Sequence, residues 1–195
     1  MMAKVDNSGL EMLRARINEA LTGPQKQQFF EDSCREMAAR FLTKVIKRTP
    51  VGDGVFEAVR NNDGTYAQGK NGQPKLKRLT NGGTLRRGWT ATSEGAAKSG
   101  GQTNPMQFSR TIHVSHQGNY YIIVVKNPVS YASYVEYGHR QQSGRFVPVL
   151  GKTLKKNWVR GQFMMTKSAK ELSAQAPAIL QRKLNKFLRE VFDGQ

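Results

Sequence analysis

Acidic side chains are scarce in this chain: 14 Asp and Glu stand against 31 Lys and Arg, a formal charge of +17 over 195 residues. A field of that sign keeps a protein in solution and draws it to polyanions. Cysteine is nearly absent. With Cys34 alone, no intrachain disulfide can form; its place in an amphipathic pattern suits a small core residue, and a reducing compartment fits. Long apolar runs are missing too. The longest, "YYIIVV" at 120–125, falls far below the roughly 20 residues that cross a bilayer. The opening "MMAKVDNSGLEMLRARINEA" carries charges at helical spacing and no apolar centre, so no signal peptide is expected, and a soluble product made in the cytosol is.

The positive charge that is present falls in two places. Residues 55–101 hold eight basic against three acidic side chains, and residues 145–195 hold eleven against three. Neither is a simple basic tail.

The patterning predicts an α+β chain without internal repeats, read as one domain over 1–195. An N-terminal helix is expected within 1–24, with Leu10, Leu13, Ile17 and Leu21 on one stripe, Ser8 as its cap and Gly23-Pro24 as its stop. A long helix should occupy 25–48, where Phe30, Cys34, Met37, Phe41 and Val45 recur every three or four residues. Thr49-Pro50 ends it, because the residue before proline is driven from the α region. Residues 54–83 then read as a glycine- and lysine-rich loop insertion with little to bury. The stretch 93–105 has the composition of a flexible linker.

An antiparallel sheet region is expected over 84–150. "TLRRGWTAT" (84–92) is a candidate strand. "SRTIHVS" (109–115) alternates, "HQGN" supplies a turn, and "YYIIVVKN" (120–127) returns as a buried strand. Helices are expected again over 153–195, with Pro177 either opening a new helix or kinking the old one.

Few constellations here carry chemistry. In "YASYVEYGHR" (131–140), Glu136 and His139 stand three apart, close enough on a helix to share a proton. No nucleophile, phosphate loop or ligand set accompanies them, so catalytic, cofactor-binding and metal-binding residues are all expected to be none. The structural reading packs Tyr131, Tyr134, Val135 and Gly138 against a sheet and turns Glu136 outward toward Arg140. His113 and His116 should face opposite sides of a strand and turn, which argues against a metal site. More informative is "KNGQPKLKR" (70–78), whose Lys70, Lys75, Lys77 and Arg78 could neutralise phosphates without reading bases. Tyr66 alone provides little aromatic interleaving for strand stacking. Lys155, Lys156 and Arg160 extend the set of candidate DNA- or partner-contacting residues.

Three ordered blocks resemble a known family. A long amphipathic helix ends in "TPVGDG" (49–54); "GTLRRGWTA" (83–91) follows; after a hairpin come "PVSYASYVEYGHR" (128–140) and "GRFVPVLGK" (144–152). In that order they resemble the minor tail-component or neck family of long-tailed bacteriophages. The residues carrying the resemblance are Pro50, Gly54, Leu85, Trp89, Tyr131, Tyr134, Glu136, Gly138 and Pro148. The family's continuous turn between helix and strand is here interrupted by residues 54–83.

The resemblance implies a virion structural protein and no enzyme. It implies copies in a ring, six-fold in the family, around the channel through which the genome passes. Its partners would be connector or head-closure proteins and tail terminator or tail-tube proteins, with non-specific DNA contact and no membrane. Trp89 and the tyrosines would then fill the space between helix and sheet. Two other readings stay open on the residues alone: a stand-alone nucleic-acid-binding protein, and a hydrolase built on Glu136 and His139.

Overall fold

A computed structural model describes residues 8–52, 55–70, 72–80, 82–147 and 152–193. Gly54 and Pro148 lie outside the described residues. The architecture is α+β, with two long helices and short antiparallel ladders of two strands each. The chain divides into two compact units. One comprises residues 1–41, 106–124 and 170–195; the other comprises 42–105 and 125–169.

In the first unit, α1 (Ser8–Thr22) stops at Gly23, and Pro24 opens α2 (Pro24–Arg48). Proline suits a first helical position because its missing N–H has no partner there anyway. The expected face of α2 is used, though by stacking as much as by deep burial. Phe29 packs on Phe187 at 4.8 Å between ring centroids, and Phe30 stacks on Tyr121 at 5.0 Å. Phe187 belongs to α7 (Met164–Asp193), whose C-terminal part lies in this unit. Lys183 of α7 pairs with Glu36 of α2 at 3.3 Å. The Cys34 thiol donates to the Tyr121 carbonyl at 3.5 Å, and burial pushes its pKa up. Cys34 is therefore a half-buried packing residue.

Two strand expectations fail in this unit. Residues 109–111 belong to a helix, α5 (Pro105–Thr111), again opened by a proline. The hairpin is real but displaced: β3 (Ser115–Gln117) pairs with β4 (Tyr120–Ile122) around a turn at Gly118-Asn119. Gly118 has φ +58°, a conformation that favours glycine. The apolar run after it does not continue as a buried strand. Tyr120 is 74% exposed and Val124 71%.

The second unit is built around the end of α2. Leu42 and Val45 are fully buried there, together with Leu85, Trp89, Val129 and Met164. Residues 84–92 form no strand. They contain α3 (Thr84–Gly88), and among the buried positions Thr84, Leu85, Gly88, Trp89 and Thr90 the pairs Thr84/Gly88 and Leu85/Trp89 stand four apart, as on a helix. In the expected linker, α4 (Glu94–Ser99) is capped by the Ser93 hydroxyl, which accepts from Ala96 N.

Residues 54–83 also hold regular structure. β1 (Val55–Ala58) pairs antiparallel with β2 (Leu76–Thr80), and the chain between doubles back on itself. Ala67 N donates to the Val59 carbonyl and Lys75 N to the Ala67 carbonyl. Backbone pairing thus supplies the order that the poor apolar content could not.

The remaining strands make a second hairpin. After α6 (Ala132–Tyr137), β5 (Gly138–Arg140) pairs with β8 (Trp158–Arg160). Inside it, β6 (Phe146–Val147) pairs with β7 (Lys152–Thr153). Hydrogen bonds from Gln141 N to the Asn157 carbonyl and from Gly144 N to the Leu154 carbonyl join the two ladders. Contrary to the sequence pattern, residues 153–163 are therefore not helical, and α7 begins only at Met164. It then runs through Pro177 as one helix.

Candidate functional site

The block 131–140 is inverted relative to expectation. Glu136 is 4% exposed, whereas Tyr134 is 59% and Tyr137 55% exposed. The tyrosines face outward and the carboxylate faces in. What Glu136 meets inside is the first turn of α7: it accepts from Met165 N at 2.8 Å, from Thr166 N at 2.9 Å and from the Thr166 hydroxyl at 2.8 Å. The first N–H groups of a helix have no partner within it, and the helix dipole favours an anion at that end. Glu136 caps α7 from another element. The expected outward pairing with Arg140 is corrected accordingly.

The backbone of Glu136 is engaged as well. Its carbonyl accepts from Phe163 N at 3.0 Å, and Phe163 has φ +52°, rare for a side chain of that size. Gly161 lies against the same carbonyl, where an added Cβ would sit 2.3 Å from it. Glu136 thus clamps both sides of the turn that launches α7. Both carboxylate oxygens are occupied, which leaves no base for a dyad with His139. The His139 Nδ1 is buried without a hydrogen-bond partner among the described residues, and its ring lies 5.8 Å from that of Tyr134.

Trp89 is buried as expected, and it carries a polar contact as well. Its indole N–H donates to Thr49 Oγ1 at 2.8 Å, and the Thr49 hydroxyl donates to the Val45 carbonyl at 2.7 Å. Arg86 donates twice to the Thr49 carbonyl, at 2.8 and 3.2 Å. A cation on the last carbonyls of α2 complements the helix dipole. Leu85 is buried, and its carbonyl accepts from Asn127 Nδ2 at 2.8 Å. Pro50, exposed, lies just past the end of α2. Gly138 ends α6 at φ +88° and starts β5.

The cationic candidates separate onto the two hairpins of the second unit. Lys75, Lys77 and Arg78 are exposed on or beside β2, and Lys70 is exposed at a turn in the same hairpin. Arg78 lies over the Phe56 ring at 5.1 Å. Arg60 is committed locally: it donates to the Tyr66 hydroxyl and lies 4.7 Å from the centre of its ring. Asp63 is likewise committed, since the Thr65 hydroxyl and amide hold its carboxyl below the usual range.

On the second hairpin, Lys155 and Lys156 precede β8, and Arg160 ends it, all exposed. Sequence reasoning missed Arg140 and Trp158, which β5–β8 pairing sets directly opposite each other. A signal was available, because residues 137–170 contain no acidic residue at all.

Among the described residues, no group of three or more His, Cys, Asp or Glu could hold a metal ion, and no helix is long and apolar enough to cross a membrane. In the first unit, a groove of about 810 Å³ is lined by Phe29, Phe187, Arg16, Glu19, Lys183 and Glu190, among others. Charges of both signs rim it.

Comparison with known proteins adds one match. Residues 11–138 fit the family described as "Bacteriophage HK97-gp10, putative tail-component". The matched stretch runs from α1 through α6 and includes the β1–β2 insertion. No curated protein and no solved structure matches the chain.

Proposed function

We propose a finer role from a plain premise: the chain belongs to the HK97-gp10-like family of bacteriophage tail components, and it is a structural protein of the phage tail rather than an enzyme. Its finer role is that of a tail-completion or head–tail joining subunit, working in the virion as copies in a ring, six by resemblance, around the DNA channel. Neighbouring connector or head-closure proteins and tail terminator or tail-tube proteins are its partners. The two basic hairpins make the polyanion contacts of that ring, to DNA or to acidic faces of neighbouring proteins.

The observation that carries this reading is the state of the cations. Lys70, Lys75, Lys77, Lys155, Lys156 and Arg160 are exposed, and none has an acidic partner within ion-pair distance among the described residues. Elsewhere, cations such as Arg35, Arg40, Lys98 and Lys183 are paired. Unpaired charge on a ribbon is available to an outside anion, and exposed pairs would have added little to stability in any case.

Native mass spectrometry and negative-stain microscopy test the ring. Discrete closed oligomers are expected, alone or with connector and tail-tube proteins; monomers under all of these conditions would sink it.

The charge of +17 also favours a second reading, a free-standing DNA-binding protein. Deleting 55–82 separates the hairpin's part from the rest. If the hairpin neutralises phosphates, its removal makes the slope of log K against log salt shallower by roughly 0.9 for each phosphate it had neutralised. An unchanged slope would remove DNA from the hairpin's role and leave docking to protein.

A further inference from the structure

We propose that the outer face of the β5–β8 ribbon binds single-stranded nucleic acid, with Trp158 stacking on an unpaired base and Arg140 and Arg160 holding the flanking phosphates. The inference deepens the polyanion contact assigned to this hairpin above and does not depend on ring formation.

The ladder register sets the arrangement. Arg140 stands opposite Trp158, Gly138 opposite Arg160, and His139 opposite Val159. Side chains alternate along a strand, and directly paired residues share a face. Trp158, Arg140 and Arg160 therefore occupy one face, and His139 and Val159 the other. All three residues of β8 are exposed, with Trp158 at 51% and Val159 at 37%.

Gly138 makes room for the indole. An added Cβ at Gly138 would lie 2.4 Å from the Val159 carbonyl oxygen and 3.0 Å from Cζ2 of Trp158, so a side chain there would crowd both the ribbon backbone and the edge of the indole. The edge of the indole thus comes close to Gly138 while Trp158 stays about half exposed to water. A flat, solvent-facing ring on the same face as two arginines is a stacking platform, and any base can use it because every base has a π-face.

Charge selects the class of ligand. The hairpin from 138 to 160 contains Arg140, Arg145, Lys152, Lys155, Lys156 and Arg160 and no acidic residue. Glu136, immediately before it, is consumed in capping α7. An electropositive ribbon that also exposes aromatic rings, Trp158 on β8 and Phe146 on β6, matches a polyanion that presents flat apolar groups, and duplex DNA hides its base faces. On the other basic hairpin, Tyr66 is already covered by Arg60. On β8 the aromatic and a cation stand two apart on the same face, both open to solvent.

The two tryptophans make a direct assay. Trp89 is 3% exposed and its N–H is bonded to Thr49, so an added ligand reaches only Trp158. The full chain is titrated with oligo-dT, a duplex of equal length and poly-glutamate at matched ionic strength, following tryptophan emission. Oligo-dT is expected to quench the Trp158 component, with the duplex and poly-glutamate leaving it nearly unchanged.

Trp158→Ala should weaken oligo-dT binding about 5- to 160-fold, and Trp158→Phe should retain most of it. Arg140→Gln with Arg160→Gln should reduce the salt slope by roughly 0.7 for each phosphate the two had neutralised. Equal quenching by poly-glutamate would assign the face to an acidic protein and overturn the proposal. So would duplex binding that is tighter than oligo-dT binding and silent in emission, or unchanged affinity in Trp158→Ala. The quenching measurement uses the unaltered chain and stands even if a variant fails to fold.

Discussion

Thr49 and Trp89, forty residues apart, share a hydrogen bond of 2.8 Å in which the indole N–H donates to the threonine hydroxyl oxygen. Thr49 is fully buried, and its own hydroxyl proton goes to the Val45 carbonyl. The end of α2 is thus tied to the residue after α3 by a short polar chain inside an apolar core. Thr49→Val keeps the shape and removes this acceptor from the buried indole N–H. A loss of about 1–3 kcal/mol is expected from urea denaturation, with Thr49→Ser close to the parent. Equal stability of Thr49→Val and the parent would show that the bond contributes nothing.

Glu136 should matter for α7 rather than for any reaction. Glu136→Ala removes the acceptor for Met165 N, Thr166 N and the Thr166 hydroxyl at once. Hydrogen bonds to charged groups are worth about 1.5–3 kcal/mol each, so a drop of at least that size is expected. Amide exchange should quicken first at Met165 and Thr166. Protection unchanged at those two amides would contradict the capping role.

Gly88 is packed too closely for any side chain. An added Cβ would lie 2.2 Å from Asn127 Oδ1 and 2.8 Å from Val129 Cγ2. Gly88→Ala should therefore destabilise by about 1–3 kcal/mol, although alanine normally favours a helix. A thermal melt distinguishes the two signs. Stabilisation would mean that Asn127 can give way at no cost.

The Glu36–Lys183 pair gives a pH dependence. Burial raises the Glu36 pKa, but hydrogen bonds from Arg40 and Lys183 and their charges outweigh it, and the folded-state value lies below the ordinary one. The stabilisation is present above the unfolded carboxylate pKa and disappears as pH falls through the lower folded value. Lys183→Met should flatten that part of the stability-against-pH curve between neutral and acid pH. An identical curve would show the pair to be energetically silent, as many partly exposed pairs are.

Cys34 should react slowly with alkylating reagents. Burial raises its thiol pKa, and the thiolate is the nucleophile. Labelling of the native chain at neutral pH should run well behind labelling in denaturant; comparable rates would place the thiol in open solvent.

Much of this organisation was legible in the residues. Helix α2 follows from apolar spacing and from Pro24 and Pro50 at its two ends, and both are local effects. Two residues of the blocks that carry the family resemblance, Leu85 and Trp89, are buried in the fold. The basic character of residues 70–78 and 155–160 needed only counting.

Tertiary structure decided the rest. Thr84–Gly88 became helical because so short a segment, with Leu85 as its one large apolar residue, carries no period of its own, and the burial of Thr84, Leu85 and Gly88 selects one. The strands Val55–Ala58 and Leu76–Thr80 gained order from backbone pairing, which composition does not register. Most clearly, Glu136 turned inward because the unsatisfied N–H groups of α7 arrive beside it from about thirty residues further on, and no local pattern announces a partner that distant. Sequence alone determined which segments are amphipathic and where the charge lies; only the folded chain determined which polar groups meet.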